Sequence, residues 1–181
     1  MITERLAGGD PALPRYLGSG DYHYVSYLRI KQLQEPFGLV LLDQHPDDQP
    51  GAFGDGLLSC GNWVSEARRT LPFLRTDVWV QRISDLPAAL ATLSAWPELP
   101  LFLSIDLDVL SPAEFRTDWD QGEMRFAQLQ EAVRAICRGR RLLGVDICGA
   151  APCRGGATLS CDAALNAALL DRLDSFLQTV K

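Results

Sequence analysis

With 181 residues, 47% of them hydrophobic, the chain has enough apolar side chains to bury the core of a single α/β domain. A formal net charge of -6, with Lys and Arg scattered except at Arg138, Arg140 and Arg141, excludes a basic nucleic-acid surface. The five cysteines show no C-x-x-C spacing, residues 1–6 lack the basic-then-apolar pattern of a leader, and no apolar run reaches the ~18 to 20 residues of a membrane span. A cytoplasmic protein with neither a disulfide framework nor a membrane partner is expected.

Residues 8–14 are rich in turn formers and read as a loop leading to a short strand over 15–17. Gly18 and Gly20 then let the backbone pass close to something, and His23 stands just before a predicted helix over 24–34 that carries Val25, Leu28 and Leu33 at helical intervals. An apolar strand is predicted over 37–43, followed by an irregular loop punctuated by Pro46, Pro50, Gly51, Gly54 and Gly56. Next come a helix over 62–71 with Trp63 and Ala67 on one side and a strand over 77–83. A further helix over 86–96 is introduced by Ser84-Asp85 with Pro87 in its first turn. A strand over 101–106 precedes a polar stretch, 109–122, that holds Asp118, Trp119 and Asp120. An amphipathic helix over 125–138, a strand over 141–147 and a small-residue loop over 149–156 follow. The last helix is expected over 161–179, with Leu165, Leu169, Leu173 and Phe176 as its buried stripe. Strand and helix alternate throughout, which predicts a three-layer αβα fold around a mostly parallel, doubly wound sheet.

Two of these strands end in carboxylates: Asp43-Gln44-His45-Pro46-Asp47 and Asp106-Leu107-Asp108. In extended backbone alternate residues share a face, so Asp43, His45 and Asp47 are expected together, and Asp106 beside Asp108. Four carboxylates at neighbouring strand ends would raise one another's pKa values, and two divalent cations would remove the conflict. Oxygen donors with a minority of imidazole suit manganese, magnesium or non-haem iron, whereas a structural zinc site would show closely spaced thiolates. The competing role for these aspartates is turn formation and helix capping. Two separate period-two sets at apolar strand ends favour the metal.

The D-x-H-x-D run over Asp43 to Asp47 and the S-x-D-x-D run over Ser104 to Asp108, the latter followed by Pro112, come after a Gly-rich turn with a histidine. In that order they resemble the arginase, or ureohydrolase, family and its wider arginase/deacetylase fold, over residues 17–152. The resemblance implies one metal held by His23, Asp43, Asp47 and Asp106 and a second held by His45, Asp43, Asp106 and Asp108, with Asp43 and Asp106 bridging. The chain's two histidines both fall at these ligand positions. In the family the metals are usually manganese, with Fe2+ or Zn2+ as alternatives here. A hydroxide between them attacks the carbon of a guanidino, amidine or amide group, and Asp47 or Asp108 could accept the proton. Family members are commonly trimers or hexamers, so a homo-oligomer is a further expectation.

Departures from the pattern shape the functional reading. Tyr22 is inserted before His23, and the glutamate that grips a guanidinium in the family is Gly149 here. No histidine occurs around Asn62-Trp63-Val64, where arginases keep a proton shuttle, so Asp120 is the candidate acid to replace it. Arginine and agmatine are therefore disfavoured as substrates. Asn62, Trp63, Asp118 and Trp119 are candidates to line the pocket, against the plainer roles of loop acids and packing aromatics. Cys148 and Cys153 are read as packing residues, and Arg154 as either a carboxylate contact or an ordinary surface arginine. The portion before the histidine turn is shorter than in the family, so the single domain over 1–181 is expected to be a minimal branch or a truncated form with an exposed sheet edge. The expected activity is binuclear, metal-dependent hydrolysis of a non-peptide C–N bond. The alternative is a catalytically silent relative that binds metal or a ligand; a one-zinc amide deacetylase ranks last, for want of a catalytic histidine pair.

Overall fold

The computed structural model of the chain describes residues 14–50, 57–150 and 159–180. Cys153, Arg154, Gly51, Gly54, Gly56, most of the 149–156 loop and the opening loop up to Leu13 lie outside the described residues, as does the side chain of Cys161.

Five strands form one parallel sheet: β1 (Pro14–Gly18), β2 (Phe37–Leu42), β3 (Leu74–Val80), β4 (Leu101–Asp106) and β5 (Leu142–Cys148), in the order β1-β5-β4-β2-β3. Every residue of β2 and β4 is buried, as expected of strands covered on both faces. Their alternate side chains enter two cores. Val40, Leu42, Leu103 and Ile105 face helices α3 (Leu86–Ser94), α4 (Phe126–Cys137) and α5 (Leu159–Leu177), packing with Leu93, Phe126, Leu129 and Leu173. Leu39, Leu41 and Phe102 face α1 (Val25–Ile30) and α2 (Trp63–Thr70), packing with Tyr27, Ile30, Trp63 and Ala67. The three-layer, doubly wound architecture is thus realised. No helix among the described residues is long and apolar enough to cross a membrane.

After β2 the sheet grows outward to β3, whereas after β4 it grows the opposite way to β5. The adjacent strands β2 and β4 therefore flank a topological switch point, and the loops at their carboxyl ends open the crevice where α/β sheets bind ligands. Both aspartate clusters lie there.

Several boundaries differ from expectation for physical reasons. The first helix stops at Ile30 and tightens into i→i−3 bonds at Gln32 and Leu33 (3.0 and 3.1 Å) before Glu35, which Pro36 pushes toward extended backbone. Strand β3 begins and ends three residues before the expected 77–83. As an edge strand it exposes Arg75 and Trp79, which blurs its apolar signal, and Ile83 instead opens a 3-10 turn in which Asp85 accepts the Gln81 and Arg82 N–H groups (3.2 and 2.8 Å). On α5 the buried stripe is Leu169, Leu173, Phe176 and Leu177, and Leu165 is only half-buried.

Candidate metal centre

The aspartates converge, but not by strand alternation. Strand β2 ends at Leu42, and the chain then turns: the His45 N–H bonds to Asp43 Oδ1 (2.7 Å), and Asp47 adopts a left-handed φ of 49°. Strand β4 ends at Asp106, whose Oδ1 accepts the Asp108 N–H (3.0 Å) at the start of a 3-10 turn over Leu107–Val109. A bond from Gln44 N–H to Asp108 Oδ1 (3.1 Å) ties the two turns together. Short polar side chains bonding to backbone two residues on stabilise such turns, so the aspartates shape the loops as well as filling them.

His23 is 1% exposed. Its Nδ1 lies 2.9 Å from Asp47 Oδ2, 3.2 Å from Asp43 Oδ2 and 3.5 Å from Asp106 Oδ2. His23 follows a 3-10 turn over Gly20–Tyr22, with its N–H closing onto Gly20 O (3.0 Å), while Tyr22 is exposed to solvent. Behind the ring, Nε2 meets Ser104 Oγ (2.7 Å), which lies 3.4 Å from Ser26 Oγ, and Ser26 donates to Asp146 Oδ2 (2.8 Å). Asp146 is ion-paired with the buried Arg29. On another side Trp63 donates from Nε1 to Asp47 Oδ2 at 2.6 Å.

His45 occupies the open side. Its side chain is 35% exposed, with Nδ1 2.9 Å from Asp108 Oδ2 and 3.7 Å from Asp43 Oδ1, and the Trp119 ring meets it edge-on at 5.9 Å.

The electrostatics reflect the crowding of buried carboxylates. Burial and the charge of neighbouring Asp108 push Asp106 up to about 7, and burial, together with Asp106 and Asp47, holds Asp43 well above the carboxylate range. Burial alone would lower His23, yet the carboxylates of Asp43 and Asp47 keep it well above its ordinary value. The bond to Asp108 raises His45 to about 9.

The donors fit a divalent cation. Asp43 Oδ2 is buried without a hydrogen bond of acceptable geometry, a costly position for a carboxylate oxygen unless a cation meets it. One ligand atom each from His23, Asp43 and Asp47 come within 4.8 Å of one another, as do those of Asp43, His45 and Asp108, and those of His23, Asp106 and Cys148. The residues present are candidate metal ligands of the hard oxygen-and-imidazole kind.

A cavity of about 190 Å³ opens beside these groups. Trp119 lines it, packed over Gly20, where an added Cβ would come within 2.9 Å of the indole. Asp118 and Asp120 are exposed and are not among its lining residues. Trp63 is fully buried and touches Asp47, and Asn62 turns back to bond with Ser59 N–H (2.7 Å) and Leu57 O (2.8 Å), so both act on the loop and not on the pocket wall. Cys148 is buried and donates to Ser19 O (3.1 Å), in keeping with packing. Pro46, Gln49, Cys60 and Gly61 line the cavity without having been expected there. Of these, only the loop position of Pro46 inside the D-x-H-x-D run was a usable signal. Gly149 has a φ of 90°, and a Cβ there would overlap Asp106 Oδ1 and come within 2.8 Å of Leu107 N, so the end of β5 has no room for a side chain.

No protein-family model matches the chain. An uncharacterized protein of Thermotoga maritima is 31% identical over 165 residues, spanning 82% of this chain and 65% of the relative. Among solved structures, an arginase of Entamoeba histolytica in complex with L-ornithine superposes with a TM-score of 0.70 at 14% identity, over 97% of this chain and 74% of that one. The proclavaminate amidino hydrolase of Streptomyces clavuligerus gives 0.65 at 16% identity, over 98% and 68%. A hypothetical agmatinase from Burkholderia thailandensis gives 0.61 at 22% identity, over 92% and 59%. The chain thus spans roughly three fifths to three quarters of the length of these relatives. Sheet order, strand-end aspartates and these likenesses agree: the chain is an arginase/ureohydrolase-fold protein.

Proposed function

We propose that the chain is a metal-dependent hydrolase of a non-peptide C–N bond in a small molecule. His23, Asp43, Asp47 and Asp106 would hold one divalent cation, and His45, Asp43, Asp106 and Asp108 a second. Manganese is the first choice for both, with iron or zinc as alternatives. The observation that carries this reading is the gathering of two histidines and the aspartates into overlapping ligand groups at the switch point of the sheet. Bound there, divalent cations supply Lewis acidity and a water ionised near neutral pH.

The chain's own side chains do the rest. Asp108, on the open side, and Asp47 are the groups available to accept a proton from the attacking water. Trp119 offers an indole face on which a planar group of the substrate can lie beside the ligands. Among the described residues, every carboxylate lining the cavity is already one of the proposed ligands. With Gly149 closed to any side chain, this favours a substrate other than arginine or agmatine. Asp120, exposed and off the cavity wall, is given no role.

A second reading, a silent relative that binds metal without turnover, is favoured by the one observation that buried Trp63 stands in the stretch expected to bear a shuttle. Metal analysis by calorimetry and elemental content, followed by a screen of guanidino, amidine, ureido and amide compounds with manganese, tests both. About two metals per chain with turnover supports the hydrolase, two metals without turnover supports the silent relative, and no binding overturns both.

A further inference from the structure

Trp63 sits at the first residue of α2, fully buried, and its indole N–H donates to Asp47 Oδ2 at 2.6 Å. The same oxygen lies 2.9 Å from His23 Nδ1, and the indole and imidazole ring centroids are 5.0 Å apart with the planes tilted by 49°. The next residue closes the grip from the backbone, its Val64 N–H bonding to Asp47 O at 3.0 Å. Asp47 itself has a left-handed backbone, a conformation that aspartate tolerates but that persists only when its surroundings hold it. One turn of helix thus fixes the carboxylate by its side chain and its main chain at once, and presses the same indole against the neighbouring imidazole.

From this geometry we infer that Trp63 is a positioning residue for the His23 and Asp47 side of the metal centre. It takes the stretch of chain where a proton-carrying side chain was sought and uses it to aim a ligand. The inference rests on the proposed metal site but goes beyond it. No substrate contact is involved, because the indole is sealed in the core formed by Tyr27, Leu39, Leu41 and Ala67. Outer partners that orient a ligating group typically change metal affinity by about 10- to 100-fold when removed. The contribution should be unequal. Trp63 touches Asp47 and His23, whereas the group of Asp43, His45 and Asp108 meets none of its polar atoms.

The test is calorimetric titration of the full chain with Mn2+ and Co2+, comparing wild type with Trp63→Phe. A second protein replaces the Trp63 indole N–H with sulphur by incorporating benzothienylalanine, which keeps the ring volume. The expected result is a loss of about 10- to 100-fold in one binding event with the other within about twofold, while the far-ultraviolet spectrum stays native. In a His45→Ala background, where one event remains, the loss should appear in full. Unchanged affinity in both altered proteins overturns the inference, as does an equal loss in both events, which would mark general loosening of the core. If Trp63→Phe fails to fold, the sulphur isostere decides. Absence of metal binding by the wild type would instead overturn the metal site itself.

Discussion

The two histidines sit on opposite sides of one aspartate cluster, in very different settings. His23 is enclosed: a ring of carboxylates in front, Ser104, Ser26 and Asp146 behind, and Trp63 across one face. His45 is a third exposed, with a single close carboxylate and the edge of Trp119 for company. The enclosed side is built by the fold, since its partners come from α1, α2, β4 and β5, whereas the open side is built by two loops tied to each other. Under the proposed function the enclosed side would fix a cation's place and the open side would meet the substrate.

The harshest way to break this division is at Asp106, one of the two carboxylates proposed to serve both metals. Asp106→Asn should abolish metal binding at both proposed positions, read as metal content falling to background, because removing one member of a buried charge cluster leaves the others uncompensated. Unchanged content would rule the site out. Next in size is Gly149→Ala. The left-handed φ and the overlap with Asp106 should cost about 1–3 kcal/mol in denaturant unfolding and also weaken metal binding; a stability equal to wild type would show that the end of β5 can move.

Acidity offers a test that needs no mutation. In the metal-free protein Asp106 is raised to about 7 and His45 to about 9, so the folded state holds more protons than the unfolded chain between roughly pH 4 and 9. Stability therefore falls as pH rises through that window, and the melting temperature should drop steadily from pH 5 to 9. Metal displaces those protons, so with manganese present the slope should flatten or reverse. Parallel profiles with and without metal would contradict the assignment. Smaller still, Ser26→Ala should cost about 1 kcal/mol by leaving Asp146 one donor short, and should weaken the enclosed metal event more than the open one. Asp120→Ala should change neither stability nor metal binding beyond about 0.5 kcal/mol; a loss of turnover in that variant would restore it as a proton carrier.

Much of the fold was legible because it is written in apolar runs. Strands β2 and β4, buried on both faces, were found within a residue of their true ends, whereas edge strand β3, with Arg75 and Trp79 turned to water, was displaced by three. The gathering of Asp43, His45 and Asp47 was anticipated on the wrong ground. Alternation presupposes extended chain, but here a turn and a left-handed aspartate bring the groups together. Composition could place Trp63 on a helix but not say which way its N–H would point, because Asp47 reaches it only through the packing of α2 on the sheet. Trp119 and Asp118 are adjacent in sequence and looked equivalent; the close approach of Gly20 to the indole accompanies Trp119 alone at the cavity wall.

The 3-10 turn over Gly20–Tyr22 stands apart from the two turns that follow β2 and β4. The His23 N–H closes it onto Gly20 O, Tyr22 points to solvent, and the imidazole arrives in the cluster 2.9 Å from Asp47. The turns after β2 and β4 are each closed by an aspartate that accepts from backbone two residues on, and they are tied to each other. One inserted residue there would break a bond, whereas the turn ahead of His23 ends on a side chain turned to water.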